Sequence, residues 1–497
     1  MNASLAHRVA GLFSLLALAC MLRCDRLARP RLSNDESFSW RLTTYSTSEL
    51  LHHMPGDAHP PLYYLILKGW TALLGDSPVA LRGLSVFFAL ASILVLFALC
   101  REARVGVSGA FFAALLFALH LAPADEPSRN ARMYSQGVFL AGLTSWLLLR
   151  ALRSNRALDG WWLGYGLAVA AFCYTHYYAF FTVAAQTLFV VGDLAARAFK
   201  RSVASVRPSL LGFLLAGGLA FLLFIPWLPV WWKQTMDVKQ GFWIQPVTYD
   251  HAKRVFFTWS SGLAYGDAVD LYCWSLLLLG CILWVATRRD RAGLFFLLQA
   301  SLPWLLSLAL SAWSGRPIFH ERYLFFAQFA LFAFWGIVWN RLPGWIPRLG
   351  FGCFLVALTG SGMWTAREPW PTHPPAVADA AAFLRDRYRD GDVIWTSSPS
   401  ELNRLRYYAA QAGLPATIPV RCFVSPFQPP GHIVHLGSLR GEDIEWQEYN
   451  PKRRGFARVW STNEGLTPSG DSWREVARWM FEEESGERLP LILYERS

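Results

Sequence analysis

Apolar residues in this chain gather into long runs separated by short charged loops, unlike the one-sided stripe of a soluble amphipathic helix. A window of ~19 residues picks out about eleven runs near the length that a bilayer core of about 30 Å demands. They fall at 9–22, 81–99, 107–122, 133–149, 161–175, 177–192, 210–228, 269–286, 293–312, 323–339 and 349–364. The pattern predicts a polytopic α-helical membrane protein. The first run is short and rich in alanine, so a cleaved signal peptide is its alternative reading. A spanning helix is preferred because the next loop must be placed outside.

Loop charge orients the spans, because Lys and Arg are retained on the cytoplasmic side during insertion. Alternate loops carry Arg101 and Arg104; Arg150, Arg153 and Arg156; Arg197, Lys200, Arg201 and Arg207; Arg288, Arg289 and Arg291; and Arg341 and Arg348. Those loops and the amino terminus are expected inside. Segments 23–80, 123–132, 229–268, 313–322 and everything after Trp364 are expected outside. Arg23, Arg26, Arg29 and Arg31 run against this assignment, but the five later loops outvote them. Past Trp364 the pattern changes to charged helices at 376–389, 400–411 and 472–484 and short apolar strands near 393–396, 431–436, 457–460 and 489–494. The chain is therefore expected to divide into a membrane domain, 1–364, and a small extracytoplasmic α/β domain, 365–497.

Composition agrees with lipid as the main solvent. Of 497 residues, 54% are hydrophobic and 24 are Trp, more apolar surface than a soluble fold of this length needs. A mean hydropathy of only +0.27 leaves room for the polar terminal domain. The net charge of +11 does not imply nucleic acid, because the basic residues lie between apolar runs rather than on one soluble face. The eight cysteines are scattered and show no metal-binding spacing.

The polar chemistry concentrates in the first outer loop, where Asp35, Glu36, Asp57 and His59 accompany Trp40, Tyr63 and Tyr64. Pro60 and Pro61 bar helix at His59, and the segment LYYLILKGWTALLG that follows is amphipathic and suited to the membrane interface. Taken alone, such an acidic pair is more often a solvated loop than a site.

The order of motifs changes that balance. NDESFSW at 34–40, then HPPLYYLILKGWTALLGDSPVALRGLS at 59–85, resembles the opening of the membrane glycosyltransferases of family 39, the protein O-mannosyltransferases and aminoarabinose transferases of the GT-C superfamily. ARMYSQ at 131–136, THYYAFF at 175–181, IPWLPVW at 225–231, RPIFHERYL at 316–324 and the GDVIW and YY pattern of 391–408 are similar to segments of bacterial members. The resemblance implies inverting transfer of a sugar from a polyprenyl-phosphate carrier to an acceptor lipid, protein or envelope polymer, at the outer face of a bacterial inner membrane.

Asp35 matches the family's general base, and Glu36 would orient it or the acceptor. A lipid-phosphate leaving group needs fixed positive charge, which the planar fork of arginine supplies. Outer-face candidates are Arg82, Arg129, Arg132, Arg316 and Arg322, with Arg132 and Arg322 at recurring family positions; for Arg82, snorkelling to headgroups is an equal alternative. His59, Tyr134, His176 and Tyr177 lie in matched segments and are candidate donor- or acceptor-site residues, as His320 is by position. Many relatives carry a glutamate where this chain has Asn130; Asp125 and Glu126 nearby are the alternatives. The departure leaves a divalent metal open. The competing reading is a transporter or flippase of lipid-linked sugars, which would place ionisable groups at mid-membrane depth and show an internal repeat.

Overall fold

The long apolar runs of the sequence form helices wherever the structure describes them. The structure is a computed structural model, and it describes residues 3–25, 27–29, 31–120, 129–240, 244, 246–261, 275, 290–314, 318–365, 375–415, 418–424, 439–446, 456–468, 473–482, 486 and 488–496. Its helices are α1 (Ala3–Cys24), α2 (Asn34–Thr43), α3 (Thr47–His53), α4 (Leu62–Leu74), α5 (Pro78–Glu102), α6 (Val107–Leu119), α7 (Tyr134–Ser154), α8 (Gly160–Cys173) and α9 (Ala179–Lys200). There follow α10 (Arg207–Phe224), α11 (Leu228–Gln240), α12 (Tyr249–Ser261), α13 (Arg291–Ser314), α14 (Glu321–Arg341), α15 (Trp345–Thr365), α16 (Ala376–Arg385) and α17 (Pro399–Gln411). The expected span 269–286 lies outside the described residues. Among the described residues six helices are long and apolar enough to cross a membrane, and shorter apolar helices include α6 and α8.

Contacts divide the chain into two units. The first comprises Met1–Leu27, Arg82–Pro229 and Ile244–Glu368. Burial within it separates central from peripheral helices: 83% of the apolar window of α14 is buried, against 28% for the segment Arg207–Asp237. Leu210, Leu211, Leu214, Leu215 and Leu222 of α10 are exposed, an arrangement stable only where lipid replaces water.

The bundle is held by close backbone approach and by buried polar contacts, because lipid removes the hydrophobic drive between helices. α6 and α14 meet at Gly109 and Gly336. A Cβ built at Gly109 would stand 2.2 Å from the Gly336 carbonyl oxygen, and one at Gly336 would stand 2.5 Å from that of Gly109. Between α7, α8 and α9, Gln186 accepts from Tyr165 Oη (2.9 Å) and donates to Thr144 Oγ1 (3.0 Å) and Ser145 Oγ (3.2 Å), all buried. Several arginines near helix ends are neutralised locally: Glu102 pairs with Arg150 and Arg153, and Asp193 with Arg197 and Arg291.

The second unit comprises Ala28–Leu81, Val230–Trp243 and Pro369–Ser497. The expected division at 364 separates the terminal domain from the apolar runs, but by contacts the first loop groups with that domain. Its six-stranded sheet has β1 (Asp392–Thr396), β2 (Val420–Val424), β3 (Ile444–Trp446), β4 (Arg458–Ser461), β5 (Trp473–Glu482) and β6 (Arg488–Arg496). Their order is β3-β2-β1-β4-β6-β5, with the first four parallel and β4, β6 and β5 successively antiparallel. Val393, Trp395, Val459, Ile492 and Tyr494 form its core.

One element is corrected: within the expected charged helix 472–484, Trp473–Glu482 form the strand β5, paired with β6 from Trp473↔Arg496 to Glu482↔Arg488. Trp479 and Phe481 alternate with exposed residues, and both pack on Phe383 of α16, so a period of two overrides the helical spacing of charges. The expected strand 431–436 lies outside the described residues; β2 and β3 were not expected.

Gly336→Ala forces a methyl against backbone and is expected to cost about 1–3 kcal/mol. The thermal midpoint of the detergent-solubilised protein should fall, and an unchanged midpoint would mean that α6 and α14 do not meet there.

Candidate functional site

In the second unit the acidic pair opens a helix. Ser33 caps α2: its Oγ accepts from Glu36 N–H (3.2 Å), while Ser33 N–H donates back to Glu36 Oε2 (2.9 Å). This reciprocal arrangement satisfies two otherwise orphaned donors and fixes where the helix starts. The buried Glu36 carboxylate is thereby committed to the cap. Asp35, half-buried in the same turn, is one residue earlier, and its negative charge is favoured by the helix macrodipole.

His59 is buried in the same unit. Its Nδ1 lies 3.4 Å from Asp57 Oδ2, an oxygen that also accepts from Tyr64 Oη (3.2 Å). Pro61 caps α4 immediately after, and α4 buries Tyr63, Tyr64 and Leu67 on one face. Lys68 of α4 donates to the carbonyls of Thr43 and Tyr45, tying α4 to the end of α2.

In the first unit, Ser85 Oγ donates to the carbonyls of Asn130 (2.7 Å) and Arg132 (3.2 Å), and Arg132 N–H donates to Asn130 O (2.7 Å). These bonds pin the turn that delivers buried Arg132. Arg82, also buried, donates to Leu27 O (2.8 Å) just past α1, so one of its functions is to hold the chain there. Arg322 occupies the first turn of α14, where a cation opposes the macrodipole at a cost of about 0.3–1 kcal/mol. His320 caps that helix through Nδ1, which accepts from Arg322 N–H (3.3 Å); burial holds its pKa below the ordinary histidine value, against the pull of Glu321.

Four motifs far apart in sequence meet around His176. Its ring lies 6.3 Å from Tyr134, 4.9 Å from Tyr323, 4.9 Å from Phe326 and 5.5 Å from Tyr178. Gln136 donates to Thr175 Oγ1 (2.9 Å), Trp227 Nε1 to Tyr177 Oη (2.9 Å), and Tyr178 Oη to Ile318 O. Because His176 Nδ1 accepts from Tyr178 N–H (3.2 Å), the neutral ring carries its proton on Nε2.

Asp125, Glu126 and Arg316 lie outside the described residues. Among the described residues no three His, Cys, Asp or Glu side chains gather as a metal site.

The sequence did not point to Asp443. Fully buried, it faces Arg41 Nη2 of α2 at 2.9 Å, is also bonded by Arg406 of α17, and accepts from Arg440 N–H (3.0 Å). Burial pushes its pKa up, but the guanidiniums of Arg406 and Arg41 and the Arg440 amide together hold it below the usual carboxylate value. Its contribution to stability is present above the unfolded carboxylate pKa and lost only as pH falls through the lowered folded value.

Comparison with known proteins bears on the whole arrangement. The family model for dolichyl-phosphate-mannose-protein mannosyltransferase matches residues 58–231. The structure of ArnT from Cupriavidus metallidurans bound to undecaprenyl phosphate is 14% identical, covers 97% of each chain and superposes with a TM-score of 0.57. This chain has the GT-C glycosyltransferase fold. Other GT-C structures agree: the mycobacterial arabinofuranosyltransferase AftD (12% identity, 98% of this chain and 40% of that one, TM-score 0.53). The oligosaccharyltransferase AglB from Archaeoglobus fulgidus, in complex with an inhibitory peptide and a dolichol-phosphate, is 11% identical over 98% of this chain and 74% of that one, with a TM-score of 0.51. No curated protein matches the sequence.

Within this GT-C fold the aromatic cluster is expected to behave as one unit. A double-mutant cycle between His176→Ala and Tyr323→Ala, read by thermal unfolding in detergent, should return a coupling of about 0.5–1.5 kcal/mol. Strict additivity would show that the two rings do not touch.

Proposed function

We propose that this protein transfers a sugar from a polyprenyl-phosphate carrier to an acceptor at the outer face of the membrane, with inversion at the anomeric carbon. The observation that carries the reading is the family match over 58–231 together with a GT-C fold running nearly the whole length of the chain. ArnT is known bound to undecaprenyl phosphate and AglB with a dolichol-phosphate, which favours a lipid phosphate as the carrier here. The chemistry is a single displacement. The acceptor oxygen bonds to the anomeric carbon, the carbon–oxygen bond to phosphate breaks, and the polyprenyl phosphate leaves as an anion.

In this reading Asp35 takes the proton of the acceptor hydroxyl as the oxygen attacks. Glu36, whose carboxylate caps α2, fixes the start of the helix that carries Asp35. Arg132 and Arg322 stabilise the departing phosphate, and Arg82 holds the chain after α1 near the same motif set. Tyr134, His176 and Tyr177 shape the donor or acceptor pocket, and His59, held by Asp57, serves the donor or the acceptor. No specific observation favours the transporter alternative, because the family matched and the relatives named are glycosyltransferases.

Asp35→Asn should lower sugar transfer in isolated membranes by about 10²–10⁴-fold without changing abundance; full activity would remove the base assignment. Arg132→Ala should raise the donor KM about tenfold, equivalent to ~1.4 kcal/mol. An unchanged dependence on lipid-phosphate donor would take Arg132 out of the donor site.

A further inference from the structure

The helix that carries Asp35 in its first turn is not held by its own loop alone. On α2, Arg41 reaches Asp443 at 2.9 Å, and the same carboxylate takes Arg406 of α17. Trp40 donates through Nε1 to Asp76 Oδ2 (2.8 Å) and meets Tyr407 edge to face at 5.2 Å. The residue just before the cap, Leu32, donates its N–H to Tyr408 Oη at 2.9 Å. Arg440 adds a second tie, lying 3.2 Å from Glu49 of α3 and 4.8 Å over the Tyr45 ring, which also receives Arg41 at 5.0 Å. Every one of these contacts lies within the second unit.

We infer that Asp443, with Arg41, Arg406, Tyr407 and Tyr408, positions the Asp35 helix, so that the terminal α/β domain is part of the transfer machinery. The inference rests on the proposed role of Asp35. A ten-residue helix is too short to persist on its own propensity. Its direction must be set by tertiary contacts, and the charged ones converge on one buried carboxylate. Removing that charge leaves two guanidiniums facing each other at a buried point, which costs more than the lost pairing. The angle of α2 is the degree of freedom that absorbs the strain. Misplacing a catalytic group by about 1 Å can cost about 10²-fold in rate.

The test uses the full-length protein in lipid nanodiscs, with a synthetic polyprenyl-phosphate sugar as donor. Asp443→Asn should lower kcat by roughly ten- to a hundredfold, leave the donor KM within about twofold, and speed amide hydrogen exchange across 34–43. Arg41→Gln should do the same, Arg41→Lys should recover part of kcat, and the double variant Arg41→Gln/Asp443→Asn should lose no more than the worse single. If Asp443→Asn does not accumulate, Tyr408→Phe, which removes the hydroxyl that accepts from Leu32 N–H, should show the same pattern on a smaller scale. Unchanged exchange in 34–43 overturns the brace. Faster exchange with wild-type kcat overturns its part in catalysis, provided Asp35→Asn measured alongside is inactive. If Asp35→Asn is itself fully active, the base reading has failed, and the exchange data alone decide the brace.

Discussion

The buried carboxylate of Asp443 joins the first loop to the terminal domain, bonding Arg41 of α2 and Arg406 of α17. A carboxylate taken out of water must be paired and hydrogen-bonded or it neutralises. Here it is satisfied by two guanidiniums from different helices and by a backbone amide. Such a cluster adds little net stability compared with an apolar substitute, but it tolerates few geometries. That property suits a part that must aim a helix rather than merely bury it. The surrounding aromatic contacts, Trp40 on Tyr407 and Tyr45 under Arg41 and Arg440, exclude water and keep the charges close.

The bundle obeys a different physics. Lipid tails are as apolar as leucine side chains, so helices are joined where backbones can approach closely or where polar side chains find partners. Gly109 against Gly336 is the first case, and Gln186 among Tyr165, Thr144 and Ser145 the second. The four motif segments around His176 add aromatic ring contacts to hydrogen bonds from Gln136 and Trp227. Rigid placement of polar groups follows without a hydrophobic core of the soluble kind.

What could be read from the sequence follows the same division. The spans that fall on described residues were legible because long apolar runs have few other solutions, and their helices overlap the expected ranges. The β5 strand was misread because Arg474, Glu475, Arg478 and Glu482 repeat at helical spacing, whereas the ladder with β6 and the packing of Trp479 on Phe383 are set by residues distant in sequence. Helix α2 was missed although its signal is local: Ser33 followed three residues later by Glu36 is a capping box, and Ser46 with Glu49 is another. The Arg41–Asp443 pair, separated by 402 positions, has no local signal at all.

The capping box also separates two residues that the sequence presented as a pair. A carboxylate that accepts from a backbone N–H at a helix start has its direction fixed by that bond. Glu36 is in that position and Asp35 is not one of the capping groups. Adjacent residues on a helix point about 100° apart, so fixing Glu36 toward the cap fixes the direction of Asp35 as well. The two acids therefore divide between them what a loop base requires: one charge anchors the helix, and the other is carried at a set angle on its first turn. Asp443 sets the far end of the same helix through Arg41, and the two anchors together leave α2 little freedom to rotate about its axis.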